Sequence, residues 1–240
     1  MTAMIGLFPT CLGEAVHRQA VRDAAGLLRR AGVEATPVRG ATCCGQPAWN
    51  SGFADDARRV ARRTLGAMEG LDAVVVPSGS CTAMMRLHWR ELFHGDRDEE
   101  RAQRISARVF ELSQYLVDEV AWAPEPPAQR MPVAYHDSCH MLRELRLREQ
   151  PRALLAAVAD LRELPRADRC CGFGGTFSVR YPDVSTAMAD DKIATAAAAG
   201  IGVVASADPG CVMQIEGRAA RTGAGLRVVH LATVVAEALA

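Results

Sequence analysis

The stretches GATCCGQPAWNSG (residues 40–52) and RADRCCGFGGTFSVRYP (residues 166–182) each place two adjacent cysteines before a glycine. They decide the fold, because they mark the same position in two halves of the chain. The first four cysteines are spaced C-x31-CC-x36-C and the last four C-x30-CC-x39-C, so the halves agree within three residues at every cysteine. This agreement indicates an internal duplication.

Two further pairs of segments correspond across the halves. VVVPSGSC (74–81) corresponds to VASADPGC (204–211), and RVFELSQYLVDEV (108–120) corresponds to RVVHLATVVAEAL (227–239). In both members of the second pair, an apolar run passes into a helical pattern. The duplication therefore extends well beyond the cysteines.

Apolar strand candidates alternate with helix candidates in each half. The predicted strands are 3–8, 33–38, 72–77, 132–136, 161–165 and 202–207, and the predicted helices between them are 14–32, 54–70, 151–160 and 182–200. Helices between successive strands imply a parallel sheet covered on both faces.

We therefore predict an α/β protein of two duplicated lobes related by pseudo-twofold symmetry, each a small parallel sheet flanked by helices. The first lobe spans residues 1–122 and the second spans residues 132–240. The proline-rich residues 123–131 are the predicted linker.

Composition narrows the classes of function. The chain is 49% hydrophobic and 23% charged with zero formal net charge, and its basic residues are scattered, so we expect no nucleic-acid partner. No apolar run approaches the roughly 20 residues of a transmembrane segment, and the first residues do not resemble a secretory signal. We expect a cytoplasmic protein, in which eight cysteines indicate metal binding or redox chemistry rather than disulfides.

The cysteines are placed to converge. Four of them follow the first or third predicted strand of a half, and the adjacent pairs follow the second strands. The carboxyl ends of parallel strands form the edge where ligands of open α/β sheets bind. The predicted metal and cofactor ligands are Cys11, Cys43, Cys44 and Cys81 in the first lobe and Cys139, Cys170, Cys171 and Cys211 in the second.

Four thiolates suit either a zinc ion or an iron–sulfur cluster. Zinc sites usually take pairs of cysteines with two to four residues between them. Here one pair of cysteines is adjacent, and every other spacing within a half is 30 residues or more. Two thiolates on neighbouring residues are poorly placed to bind one small ion together, but they can bind two different iron atoms of one cluster. The pattern favours one iron–sulfur cluster per lobe, with zinc as the alternative.

The segments CCGQPAWNSG, HDSCH and CCGFGGTFSVRYPDVSTAMADDK resemble the cysteine-rich CCG-domain proteins and, within them, the lactate utilization protein A family. Relatives by the same domain are the B subunit of heterodisulfide reductase and the iron–sulfur subunit of glycolate oxidase. The resemblance covers essentially the whole chain. It implies an iron–sulfur component of a complex that oxidises L-lactate to pyruvate, with a ferredoxin-like iron–sulfur subunit and a third small protein as partners.

One departure from the family pattern bears on the cluster. The full pattern ends in C-x-x-C, but the upstream position of that pair is Ser78 in the first half and Asp208 in the second. The five-cysteine non-cubane cluster that the resemblance would imply is therefore in doubt. A four-cysteine cluster, or one with an oxygen ligand from Ser78 or Asp208, fits as well. A thiol–disulfide reductase subunit and a zinc-binding structural protein remain alternative functions.

Four other residues are candidates near the cysteines. His136 and His140 flank Cys139, where they could hydrogen-bond the cluster or transfer a proton near a bound 2-hydroxy acid. Lys192, the only lysine, and Arg180 could bind a carboxylate beside the second cluster. The alternative for Lys192 is a solvated charge on a helix.

Overall fold

The computed structural model describes residues 3–240 and contains two parallel sheets of four strands each. The strand order is β2-β1-β3-β4 in the first sheet and β6-β5-β7-β8 in the second. The strands are β1 (Ile5–Leu7), β2 (Ala35–Pro37), β3 (Ala73–Val76), β4 (Val109–Glu111), β5 (Pro132–Tyr135), β6 (Asp160–Glu163), β7 (Val203–Ser206) and β8 (Arg227–His230). The identical order confirms the predicted α/β fold of two duplicated lobes.

Helices connect the strands and cover the sheets. They are α1 (Cys11–Ala15), α2 (Arg18–Arg30), α3 (Gln46–Asn50), α4 (Ala54–Ala67), α5 (Gly79–Ala83), α6 (Trp89–Leu92), α7 (Glu99–Ser106), α8 (Leu112–Gln114), α9 (Glu149–Val158), α10 (Thr176–Arg180), α11 (Pro182–Ala198), α12 (Pro209–Thr222) and α13 (Leu231–Ala238). Met84–His88, Tyr115–Glu119 and His140–Leu145 are π-helical. Among residues 3–240, no helix has both the length and the apolar character to cross a bilayer.

The predicted helix over residues 14–32 is confirmed from Arg18 to Arg30, but its first two residues, Glu14 and Ala15, belong to the separate helix α1. The Thr10 hydroxyl caps α1 by accepting from the backbone N–H of Gly13. The backbone N–H groups of Val16 and His17 both donate to the carbonyl of Leu12, which ends the first helix. Apolar periodicity does not register this break, because Ala15 and Val16 fit the apolar pattern although both are exposed.

One hydrophobic core joins the two lobes. Helix α2 of the first lobe packs against α13 of the second, and α13 also packs on α9. Leu27 and Leu28 of α2 are fully buried in this core, where each contributes about 1.5–3 kcal/mol of burial free energy. The Thr233 hydroxyl donates to Asp23 Oδ2 across the same contact at 2.7 Å.

Backbone contacts bring the carboxyl ends of β3 and β7 together. The backbone N–H of Gly79 donates to the carbonyl of Ala207 at 3.3 Å, and His230 Nε2 hydrogen-bonds the carbonyl of Pro77 at 3.2 Å. A Cβ at Gly79 would lie 2.5 Å from the Met141 side chain, so this approach requires glycine. The cysteine-bearing edges of the two sheets therefore face each other.

Candidate metal centre

Four cysteines lie where a strand gives way to a helix. Cys11 is the first residue of α1, and Cys139 directly precedes the π-helix His140–Leu145. Cys81 and Cys211 lie inside the first turns of α5 and α12, slightly later than the predicted position just before a helix. Helix N-termini carry partial positive charge, which favours the thiolate form and a negatively charged cluster.

The adjacent cysteine pairs lie in the loops after β2 and β6, and the glycine that follows each pair has a positive φ. Gly45 has a φ of 93° and Gly172 a φ of 88°. A Cβ would lie 2.9 Å from the Ala57 carbonyl oxygen at Gly45 and 2.5 Å from the Ser185 carbonyl oxygen at Gly172. Glycine therefore lets each loop turn back against its helix, which is why the triplet is CCG.

In the first lobe, the members of the adjacent pair face different partners. Cys43 Sγ lies 3.8 Å from Cys11 Sγ, and Cys44 Sγ lies 3.5 Å from Cys81 Sγ. These distances exceed a disulfide bond of about 2.05 Å, so the groups are thiols. In this lobe, one cysteine of the adjacent pair thus lies beside the cysteine that follows the first strand, and the other lies beside the cysteine that follows the third strand.

The second lobe repeats this pairing. Cys171 Sγ lies 3.2 Å from Cys211 Sγ, and the proximity of Cys170 raises the pKa of Cys139. Both lobes therefore present two thiol pairs.

Both sets of thiols line one cavity of about 210 Å³ between the lobes. Its lining includes all eight cysteines: Cys11, Cys43, Cys44, Cys81, Cys139, Cys170, Cys171 and Cys211. Ser78, Asp208 and His140 also line it. The sequence predicts two sets of four thiols, and the structure adds that both sets open into one space.

The distances between the thiols test which metal group they fit. A tetrahedral zinc ion with bonds of about 2.3 Å holds its four sulfurs about 3.8 Å apart. Within residues 3–240, the one trio of His, Cys or carboxylate ligand atoms lying within 4.8 Å of one another is His136, Cys171 and Cys211. Neither lobe gathers its four sulfurs around one point. This arrangement does not surround one zinc ion, and it suits a metal cluster with several ions.

The thiols of each lobe differ in acidity. Hydrogen bonds from Cys11 and Cys44 lower the pKa of Cys43 to about 3, and hydrogen bonds from Cys139 and Cys171 lower the pKa of Cys170 to about 2. The hydrogen bond between Cys11 and Cys43, together with burial, raises the pKa of Cys11 well above its usual range. One thiolate per lobe is therefore ready to bind metal, and further binding releases protons.

The positions of the missing family cysteines are occupied by helix caps. The Ser78 hydroxyl accepts from the backbone N–H of Cys81 at 3.3 Å. Asp208 Oδ1 accepts from the backbone N–H of Gly210 at 3.0 Å, and its Oδ2 accepts from the backbone N–H of Ser80 in the other lobe at 2.7 Å. Both carboxylate oxygens of Asp208 are thus engaged by backbone amides.

His140 lies at the cavity in a network that links the lobes. Its Nδ1 is 2.6 Å from Glu144 Oε1, its Nε2 is 3.3 Å from Gln46 Nε2, and Glu144 Oε2 is 2.6 Å from His88 Nε2. The hydrogen bond with His140 is the main reason that the pKa of Glu144 falls to about 2. Burial alone would lower the pKa of His140, but the Glu144 carboxylate raises it. The sequence analysis missed Glu144, although its i,i+4 spacing from His140 is a signal for such a pair.

Lys192 is buried rather than solvated, so the alternative of a solvated charge is wrong. Its Nζ donates to the carbonyls of Arg166 at 2.8 Å and Ala167 at 3.3 Å, beneath the loop that carries Cys170 and Cys171. Arg180 lies at the end of α10 and is exposed. His136, by contrast, lies fully buried beside Cys171 and Cys211.

Comparisons with known proteins match these observations. The cysteine-rich CCG domain matches the chain twice, at residues 5–86 and 133–216. A lactate utilization protein A 2 of Bacillus cereus is 38% identical over 238 residues, which cover 98% of both chains. Lactate utilization protein A of Geobacillus kaustophilus is 39% identical over 234 residues, 96% of this chain and 98% of the relative.

Proposed function

This chain belongs to the family of cysteine-rich CCG-domain proteins that includes the lactate utilization proteins A, and on that premise we propose that it is an iron–sulfur component of a complex that oxidises L-lactate to pyruvate. The observation that carries the proposal is the cavity lined by eight unpaired cysteines at the meeting edges of two parallel sheets. The other subunits of the lactate-oxidising complex are the partners that the family name suggests.

The first lobe's four cysteines hold one cluster and the second lobe's four hold another. An iron–sulfur cluster accepts and releases single electrons. The chain positions each cluster by two thiol pairs, and the amides at the starts of α1, α5 and α12 offset the negative charge of the thiolates. Oxidation of lactate to pyruvate releases two electrons and two protons, and two clusters, if bound, would supply two one-electron sites.

His140 is placed to handle a proton in this reaction. It lines the cavity, and Glu144 holds its ring through Nδ1. A carboxylate on one ring nitrogen orients the other nitrogen and favours its protonation. In this proposal, His140 exchanges a proton with a 2-hydroxy acid or with a partner subunit at the cavity. A cytoplasmic location belongs to the same proposal, because reducing conditions keep free thiols available.

Anaerobic purification followed by iron, acid-labile sulfide and zinc analysis tests the proposal. We expect iron and sulfide in equal amounts, with broad visible absorption that bleaches on reduction. His94→Ala, at an exposed side chain, is the control and should retain full iron content. Stoichiometric zinc without acid-labile sulfide would contradict the proposal and support a zinc-binding structural protein.

The role in lactate oxidation needs a second measurement. The chain, copurified with its partner subunits, should transfer electrons from L-lactate to an artificial acceptor and form pyruvate. Cluster-loaded protein that instead cleaves a disulfide substrate and shows no response to lactate would support the thiol–disulfide reductase alternative.

A further inference from the structure

One buried nitrogen beside the cysteines has no partner. His136 follows β5 and is 0% exposed. Its Nδ1 lies 3.1 Å from the carbonyl of Ala167, so Nδ1 carries the hydrogen and donates it. Its Nε2 is therefore an acceptor, and it has no hydrogen-bond partner. A buried acceptor left unpaired is destabilising, so it calls for an explanation.

The imidazole of His136 lies against two thiols. A ring nitrogen of His136 and the sulfurs of Cys171 and Cys211 all lie within 4.8 Å of one another. Because the Ala167 carbonyl engages Nδ1, Nε2 is the nitrogen that can bind a metal. Metal bonds of about 2.1 Å to nitrogen and 2.3 Å to sulfur hold a nitrogen and a sulfur at most about 4.4 Å apart and two sulfurs at most about 4.6 Å apart, so small shifts would let all three residues bind one ion. His140, which lines the cavity, uses both ring nitrogens in hydrogen bonds.

The first lobe has no equivalent donor at the matching position. The backbone N–H of Phe8 donates to Val75 just as that of His136 donates to Ala205, so the two residues occupy the same position in the duplicated lobes. Each precedes its strand-end cysteine by three residues. Phe8 is a buried phenyl ring with no metal-binding atom. The lobes are therefore alike in thiols and different in this one ligand position.

We propose that Nε2 of His136 is a fifth ligand of the second lobe's cluster, which makes it a mixed thiolate–imidazole centre, whereas the first lobe's cluster is held by thiolates alone. This rests on the proposed function for the identity of the metal group. The imidazole supplies a donor that position 208 does not, because amides engage both oxygens of Asp208. It also gives the unpaired nitrogen a partner.

The two clusters then differ in reduction potential. A neutral imidazole adds no negative charge to the cluster. Lys192 adds a buried cation beneath the second lobe's cysteine loop, where the first lobe has Thr64 donating to the Cys43 carbonyl.

The test uses the full chain, purified anaerobically, reduced and labelled with ¹⁵N-histidine. Pulsed electron paramagnetic resonance should detect a directly bound histidine nitrogen on one of two clusters. His136→Phe, which copies the residue of the first lobe, should abolish that coupling. His140→Gln is the matched control and should retain the coupling.

Three results would overturn the inference. The first is acid-labile sulfide with no histidine nitrogen on either cluster, which contradicts the inference and leaves the proposed function standing. The second is a coupling that survives in His136→Phe and disappears in His140→Gln. The third is a complete absence of sulfide, which contradicts the proposed function and this inference together. If His136→Phe does not fold, the labelled wild-type protein and His140→Gln still decide between these outcomes.

Discussion

The CCG triplet shows how one residue can set the position of two others. The glycine allows a backbone conformation that other residues adopt only under strain, and it lets the loop approach a helix carbonyl. Without that approach, the second cysteine of the pair could not reach the buried position where it faces its partner. The glycine is thus part of the metal centre although it supplies no ligand.

Gly172→Ala should destabilise the protein by about 2–3 kcal/mol. Its φ is 88° and the added Cβ would meet the Ser185 carbonyl oxygen at 2.5 Å, so left-handed strain and a backbone clash combine. Gly217→Ala is the control, because its Cβ meets nothing within 4 Å and its φ is not positive. Urea unfolding of both variants measures the effect. Equal stability of the two variants would contradict the role assigned to the glycine.

At the scale of elements, side chains at the strand ends cap the helices that follow. Thr10, Ser78 and Asp208 cap the helices that carry cysteines, and Glu111 and His230 cap the last helices of the two lobes. Each cap satisfies backbone N–H groups that the helix itself leaves free. The duplicated positions keep this capping function while the residue type changes between the lobes. At one such position the first lobe has Glu111 where the second has His230, and the buried carboxylate of Glu111 affects how stability depends on pH.

Glu111→Gln should stabilise the protein at neutral pH and have less effect at pH 4. Glu111 is 0% exposed, and burial raises its pKa from 4.5 to about 7. The folded state therefore binds this proton more tightly than the unfolded state, and the wild type loses stability as pH rises from 4.5 to 7. Glutamine does not titrate and can still accept a hydrogen bond from the N–H of Ser113, so the variant avoids this loss.

The measurement is the free energy of unfolding against pH for both proteins. We expect the variant to gain roughly 1–3 kcal/mol on the wild type between pH 4.5 and pH 7. Ser113→Ala, which removes a hydroxyl that hydrogen-bonds the same carboxylate, should deepen the pH dependence. A constant difference between Glu111→Gln and wild type across this range would show that Glu111 does not titrate there.

At the scale of the molecule, the lobes share a core but hold their thiols separately. Helices α2 and α13 form one hydrophobic contact between the lobes, and the carboxylate of Asp208 reaches the backbone of Ser80. Each short sulfur–sulfur distance nevertheless joins two cysteines of the same lobe. The joint cavity brings the two sets of four thiols near each other without mixing them.

Cys171→Ala should therefore lose the second lobe's iron and keep the first lobe's. Cys44→Ala, at the equivalent position of the first lobe, should do the reverse, so each variant retains about half of the wild-type iron and sulfide. Iron and sulfide per chain, measured on anaerobic preparations, give the result. Loss of all iron in either variant would mean that the lobes do not bind independently.

The sequence by itself determined the duplication, the α/β class and the edge where the cysteines meet. Cysteine spacing and apolar periodicity are properties of the chain order, and the carboxyl edge follows from parallel strands joined by helices. The repeat also predicted two sets of four thiols, and all eight line one cavity. Periodicity could not show the break between α1 and α2, because Ala15 and Val16 fit the apolar pattern although the structure exposes both.

Only the tertiary structure decided which atoms near the cysteines are free. Packing of one lobe on the other joined the two thiol sets in one cavity and placed Glu144 between His140 and His88. Folding of the second lobe buried Lys192 against backbone carbonyls and left Nε2 of His136 without a partner. The physical reason is that a hydrogen bond depends on distances of about 3 Å between groups far apart in the chain, and residue spacing does not encode such distances.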